Sequence, residues 1–243
     1  MMTVKQLVQS GFNAFGLRVS YNKFDFDYFF EAIKSRGFAP KHIVDVGANH
    51  GDWSRVALKY FPETYYTLIE PQAWLQKDAH DILAHGKAKW ISAGAGNKPG
   101  TLPLWAHDHD VSSSFAYSPE RVRAEGGRTI EVPIVTLDEV VRVSAAPFPD
   151  MVKIDAEGFD LKVIAGASTL LGKTDIFILE ATICAPDLEN TVENVLMTMT
   201  RAGYQLIDIV GVLRTKDRFA WLCNLAFLRA GSPLLADLSF GLC

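Results

Sequence analysis

Two short runs of this 243-residue chain carry residue types suited to chemistry. The first is Gly47-Ala48-Asn49-His50-Gly51, which follows directly on the largely apolar run His42-Ile43-Val44-Asp45-Val46. Glycines at a strand-to-helix turn let backbone approach a ligand closely and aim helix N-terminal amides at a negative group. The dinucleotide pattern GxGxxG is not met, because the glycines are four apart and Asn49 stands two after Gly47. Asp45 and Asp52 flank the loop with Arg55 nearby, a balance that disfavours a pyrophosphate. A zwitterionic amino-acid group fits better: backbone amides take its carboxylate and an acid such as Asp45 takes its ammonium. Glu70 ends the next strand, 23 residues beyond Gly47. In a parallel sheet that position reaches the ribose of a nucleoside lying over the strand ends, where a carboxylate accepts both hydroxyl protons.

The second run is Lys153-Ile154-Asp155-Ala156-Glu157-Gly158, at the carboxyl end of an apolar strand. Ligands of open α/β sheets sit outside those ends, so Asp155 should face the same crevice as Gly47 and Glu70. Strand alternation puts Lys153 on the side of Asp155. A lysine buried there needs a carboxylate partner, which Asp155 or Glu180 could supply. Such an ion pair can also serve the fold alone. For deprotonating a hydroxyl, Asp155 is the first candidate base and Glu157 the second, ahead of His107 and His109. Asp155, Glu157 and Glu180 could instead hold a divalent cation, with His107 and Asp108 as further ligands, although the spacing does not require one. Ser112, Ser113 and Ser114 could hydrogen-bond a polar acceptor or form a plain turn.

These residues need a sheet to bring them together. Short Ile-, Val-, Tyr- and Phe-rich runs alternate with helical periods, the pattern of a mostly parallel α/β sheet. Strands are predicted at His42–Val46, Tyr65–Glu70, Ala88–Ala93, Met151–Asp155, Ile176–Glu180, Gln205–Val210 and Trp221–Leu228. Helices are predicted at Asp52–Tyr60, Gln72–Ala84, Asp138–Val143, Phe159–Leu171 and Thr191–Ala202. No crossover helix separates the final two strands, so a hairpin with an antiparallel last strand is expected. Residues 1–40 form an N-terminal helical cap, with Phe26–Arg36 covering the sheet edge or the mouth of the site. Residues 41–243 form the single main domain, with an insertion at about 94–149 that holds two further strands.

Nearly half the residues are apolar and about a fifth charged, as in a folded globular protein. A net charge of −4 without a long basic run argues against nucleic acid as a partner. The three cysteines, Cys184, Cys223 and Cys243, are scattered and lack CxxC spacing, which fits a reducing compartment. No apolar run reaches the length of a membrane span, so cytoplasmic residence is expected.

The strings Val44-Asp45-Val46-Gly47-Ala48-Asn49-His50-Gly51, Ile69-Glu70-Pro71, Val135-Thr136-Leu137-Asp138 and Val152-Lys153-Ile154-Asp155-Ala156-Glu157-Gly158 together resemble the FkbM-type methyltransferases. The likeness runs from about Ile43 to Glu180 and implies a class I methyltransferase, Rossmann-like fold with S-adenosyl-L-methionine as cofactor. By that likeness Gly47, Asn49 and Gly51, with Ala48 in the same loop, line the methionine end. Glu70 with Pro71 meets the ribose, and Ser92 with Ala93 the adenine. The implied activity is O-methylation of a small-molecule, sugar or natural-product hydroxyl, in which aligning oxygen, methyl and sulfur is worth on the order of 7–11 kcal/mol. Two readings compete with it: an NAD-dependent oxidoreductase or epimerase, and a non-catalytic nucleoside-binding scaffold.

Overall fold

The computed structural model describes residues 26–106, 128–183 and 188–236. His107, Asp108, His109, the serines 112–114, Cys184, Cys243 and the first 25 residues of the expected cap lie outside the described residues.

In chain order the elements are α1 (Phe26–Ser35), β1 (His42–Val46), α2 (Asp52–Tyr60), β2 (Tyr65–Ile69), a 3-10 helix (Ala73–Ala79), α3 (His80–Ala84), β3 (Ala88–Ile91), β4 (Gly94–Ala95), β5 (Gly100–Ala106), β6 (Arg128–Val135), α4 (Leu137–Val143), β7 (Met151–Ile154), α5 (Asp160–Ala165), β8 (Ile176–Thr182), α6 (Val192–Arg201), β9 (Tyr204–Arg214), β10 (Ala220–Arg229) and a short 3-10 turn (Pro233–Leu235). The main sheet has seven strands in the order β3-β2-β1-β7-β8-β10-β9. The pairings β3-β2, β2-β1, β1-β7 and β7-β8 are all parallel, whereas β10 runs antiparallel to both β8 and β9. The expected hairpin is therefore present, with its second strand inserted between β8 and β9.

Both faces of the sheet are buried, which is why β1, β7 and β8 read as nearly continuous apolar runs. On one face Val44, Val46, Val152, Ile154, Phe177 and Leu179 pack beneath residues of α4, α5 and α6. On the other Ile43, Leu68, Met151 and Ile178 pack beneath α1, α2 and α3. Phe26 and Phe30 of α1 meet Trp53 of α2 at ring-centroid distances of 5.9 and 5.5 Å, and Phe30 also meets Tyr60 and Phe61. The helix covers a face of the sheet together with α2 and also reaches the edge strand β9, its four buried apolar residues seated on a broad aromatic surface.

The stretch after β3 forms a separate three-stranded sheet in the order β4-β6-β5, with its own small apolar cluster of Leu104, Val132 and Ile134. It is seated at the end of α5, where a Cβ on Gly166 would lie 2.0 Å from the Gly96 carbonyl oxygen. Gly166 is the C-cap of α5, which ends at Ala165 rather than running on to Leu171 as the periodicity predicts.

Candidate active site

Parallel pairing aligns the carboxyl ends of β1, β2, β3 and β7 on one edge of the sheet. The loop after β1 is bent by Gly47, Asn49 and Gly51, whose φ angles are 72°, 48° and 83°. A Cβ at Gly47 would sit 1.8 Å from the carbonyl oxygen of Asp155, so only glycine lets the β1 and β7 loops meet so closely. Glu70, 3% exposed, receives the backbone N–H of Asn49 on Oε2 and that of Gln72 on Oε1, both at 2.9 Å. Its own backbone N–H donates to Ile91 at the end of β3, which sets half-buried Pro71, exposed Ser92 and buried Ala93 beside it. The residues expected to meet the methionine, ribose and adenine portions of a nucleoside thus share one edge.

The loop differs from expectation in one respect. All five of its amides have acceptors inside the protein: Gly47 and Ala48 donate to the Ile69 carbonyl, Asn49 to Glu70, His50 to the Asn49 side chain, and Gly51 to the Ala48 carbonyl. The amides expected to receive a carboxylate instead hold the bend in shape, because Glu70 and the end of β2 are close enough to claim them.

Asp45 and Lys153 are register partners in the interior of the sheet. Lys153 is 4% exposed and lies 3.1 Å from Asp155 Oδ2, 3.5 Å from Asp45 Oδ1 and 3.4 Å from the Gly47 carbonyl oxygen. Of the two partners expected for Lys153, Asp155 makes the contact. Asp45 is fully buried and its other oxygen accepts from Ser54 Oγ at 2.7 Å. Its charge therefore acts on the crevice through Lys153 and not by direct exposure. Burial alone would discharge Lys153, but the carboxylates of Asp155 and Asp45 outweigh it and hold the ammonium charged.

Asp155 is about 30% exposed at the crevice. Glu157 follows in a left-handed turn with φ 51°, and burial together with the charge of Asp155 pushes its carboxyl up to about 8. Glu180 on β8 is 7% exposed, and burial followed by the charges of Asp155, Asp160 and Glu157 drives it well above the carboxylate range. Asp160, the first residue of α5, is fully buried, and sequence reasoning missed it. An aspartate in the first turn of a helix reads as a partner of the helix dipole, and the one signal that set it apart was its place three residues after Glu157.

Together Asp45, Glu70, Asp155, Glu157, Asp160 and Glu180 act electrostatically on one lysine, Lys153. Among the described residues no three His, Cys, Asp or Glu side chains converge in a metal-binding arrangement. No described helix is long and apolar enough to cross a membrane. A cavity of about 370 Å³ beside α4, lined by residues that include Thr67, Trp90 and Val140, contains none of these acids.

The methyltransferase FkbM domain matches residues 45–206, about two thirds of the chain. Over 99 residues the chain is 28% identical to the hexuronic acid methyltransferase AglP of Haloferax volcanii, covering 37% of this chain and 41% of that protein. Among solved structures, a methyltransferase FkbM from Methylobacillus flagellatus is 15% identical with a TM-score of 0.49, over 76% of this chain and 43% of that one. The N-methyltransferase NodS from Bradyrhizobium japonicum is 10% identical with a TM-score of 0.49, over 85% of this chain and 95% of that one. The match to the family runs from the end of β1 through β2, β7 and β8, the strands that carry the acids, and by it this chain, with its class I methyltransferase fold, belongs to the methyltransferase FkbM family.

Proposed function

We propose that the protein is an S-adenosyl-L-methionine-dependent O-methyltransferase acting on a hydroxyl of a sugar, glycan or natural product. One observation carries the reading: the carboxylates of Asp155 and Asp45 press on a single lysine at the crevice, Lys153, with Glu70 acting on it as well, so the edge of the sheet favours a cation. A methylsulfonium that also bears an ammonium fits this field, whereas the pyrophosphate of NAD would be repelled by it. The glycine-lined bend and the buried Glu70 suit the two ends of such a nucleoside. When bound, that cofactor supplies a methyl group on a positively charged sulfur.

The chain's own residues divide the remaining work. Gly47, Ala48, Asn49 and Gly51 shape the wall at the methionine end, while Glu70 and Pro71 face the ribose and Ser92 and Ala93 the adenine. Lys153, held from behind by Asp45, fixes the carboxylate of Asp155 at 3.1 Å and leaves it about 30% exposed. Asp155 or Glu157 takes the acceptor hydroxyl proton as the oxygen attacks, a contribution of about 10²–10⁴-fold. The hexuronic acid substrate of the Haloferax relative puts sugars first among the acceptors to test.

Calorimetric titration of the full chain with S-adenosylhomocysteine and with NAD tests the reading. Binding of the former alone supports it; binding of NAD alone rejects it in favour of an oxidoreductase. With an acceptor in hand, unaltered turnover in both Asp155→Asn and Glu157→Gln would remove these residues from the chemistry.

A further inference from the structure

The crevice holds more acid than its ion pairs and amides engage. Lys153 faces Asp155 and Asp45, and Glu70 is taken up by the Asn49 and Gln72 amides. Deeper in, Asp160 is 0% exposed, and its carboxylate oxygens have no side-chain donor and no well-formed hydrogen bond, only the nearby backbone N–H groups of Asp160 and Ala156. A second orphan lies across the sheet. Asn224 of β10 is 2% exposed with its Oδ1 unpartnered, and it is paired directly opposite Glu180 of β8. Residues directly opposite in an antiparallel pair share a face of the sheet, with Cβ atoms about 4.5–5.5 Å apart. Glu180 therefore stands near two sets of acceptors that lack a side-chain donor. An ionised carboxylate can give them nothing, whereas a protonated carboxyl donates. Leaving both acids ionised would bury two uncompensated charges at a cost of several kcal/mol each.

We propose that the free protein stores a proton on the buried Asp160 and Glu180 carboxyls, beside the orphan oxygen of Asn224, and that entry of a cationic sulfonium ligand expels it. This rests on the methyl-donor reading above and deepens it, making donor uptake a proton-coupled step. The groups facing the pair are Lys153 on β7, Asp155 and Glu157 on the following loop, and the Cys223 thiol on β10. The carboxylate of Asp155 opposes further negative charge on both members of the pair, which is why the proton stays in the free protein. A bound cation removes that opposition. One O–H bond breaks, the carboxylate remains, and the proton passes to solvent by way of half-buried Glu157, so the charge of the crevice is conserved as one cation replaces another. Burial and the neighbouring charge of Asp155 raise both members of the pair well above the carboxylate range, in keeping with this assignment.

The test is calorimetric titration of the full chain at pH 7 with S-adenosylmethionine and, separately, with S-adenosylhomocysteine. Each titration is run in phosphate and in Tris, whose different ionisation enthalpies reveal the protons exchanged. The sulfonium ligand should release about 0.5–1 proton more than its neutral-sulfur product. Asp160→Asn should erase that difference, with circular dichroism reporting whether the variant folds. Should it not fold, the wild-type comparison alone decides. Equal proton counts for the two ligands overturn the proton store and leave the donor reading standing. A difference that survives in Asp160→Asn but vanishes in Glu157→Gln moves the proton to Glu157 and also overturns the pair. Binding of neither ligand sinks both this inference and the donor reading.

Discussion

The carboxylate of Glu70 accepts the backbone N–H of Asn49 at 2.9 Å, tying the end of β2 to the bend after β1 across 21 residues of chain. With Gln72 held by the other oxygen, a single side chain shapes both loops of the nucleoside end. Glu70→Ala should therefore lower unfolding stability by about 1.5–3 kcal/mol, the worth of charge-assisted hydrogen bonds, and weaken S-adenosylhomocysteine binding as well. Urea denaturation and calorimetry measure the two effects. Glu70→Gln, which keeps one acceptor oxygen, should fall between wild type and Ala in both.

Gly47→Ala meets a harder obstacle. Its Cβ would collide with the Asp155 carbonyl oxygen, and φ of 72° already disfavours any side chain. A loss of several kcal/mol is expected, reported as a fall in melting temperature together with failure to bind the nucleoside. At Gly51 the nearest atom to an added Cβ is the flexible end of Ile82, at 2.7 Å, so Gly51→Ala should cost only about 1–2 kcal/mol.

Removal of the Lys153 ammonium leaves two carboxylates facing each other without their cation. Lys153→Met should destabilise the protein by about 3–5 kcal/mol. The double variant Asp45→Asn/Lys153→Met should recover part of that loss, since it no longer buries an unpaired Asp45 charge. A double-mutant cycle in denaturant gives the coupling, and strict additivity would mean that the pair contributes nothing to the fold.

The raised carboxyl of Glu157 predicts how stability follows pH. A folded-state value of about 8 against an ordinary 4.5 means that the folded protein holds the proton more tightly. Its contribution is then complete below about pH 4.5 and is lost as pH rises through about 8, a change on the order of a few kcal/mol. Melting temperatures of the free protein should decline across that window. Glu157→Gln should flatten the profile, and a wild-type profile already flat would contradict the buried state of this acid.

Local pattern was enough to place β1 at His42–Val46 and α2 at Asp52–Tyr60, because an apolar run entering a glycine bend and then an amphipathic period leaves few alternatives. The same holds for Gly47, Glu70 and Asp155, whose positions at strand ends follow once the strands are parallel. What sequence concealed depends on contacts distant in the chain. The bend's amides look available until Ile69 and Glu70 are seen to accept them. Asp160 looks like an ordinary helix-start acid until the packing around it shuts out water. Asn224 did carry a signal, as the lone polar residue in Trp221-Leu222-Cys223-Asn224-Leu225-Ala226-Phe227-Leu228, and its meaning emerged only with its pairing to Glu180. Gln72–Ala84 reads as one helix but splits into a 3-10 segment and α3, a tightening no hydrophobic period announces.

The position of β10 between β8 and β9 also governs how the chain is made. As it emerges from the ribosome, β8, with all seven residues destined for burial, must wait with one flank unpaired until residues 220–229 arrive. Such a flank is a template for misassembly, so chaperone dependence and inclusion-body formation should concentrate in this interval of synthesis. Slow translation just before Ala220 would lengthen the exposure, while rapid delivery of the closing hairpin would shorten it.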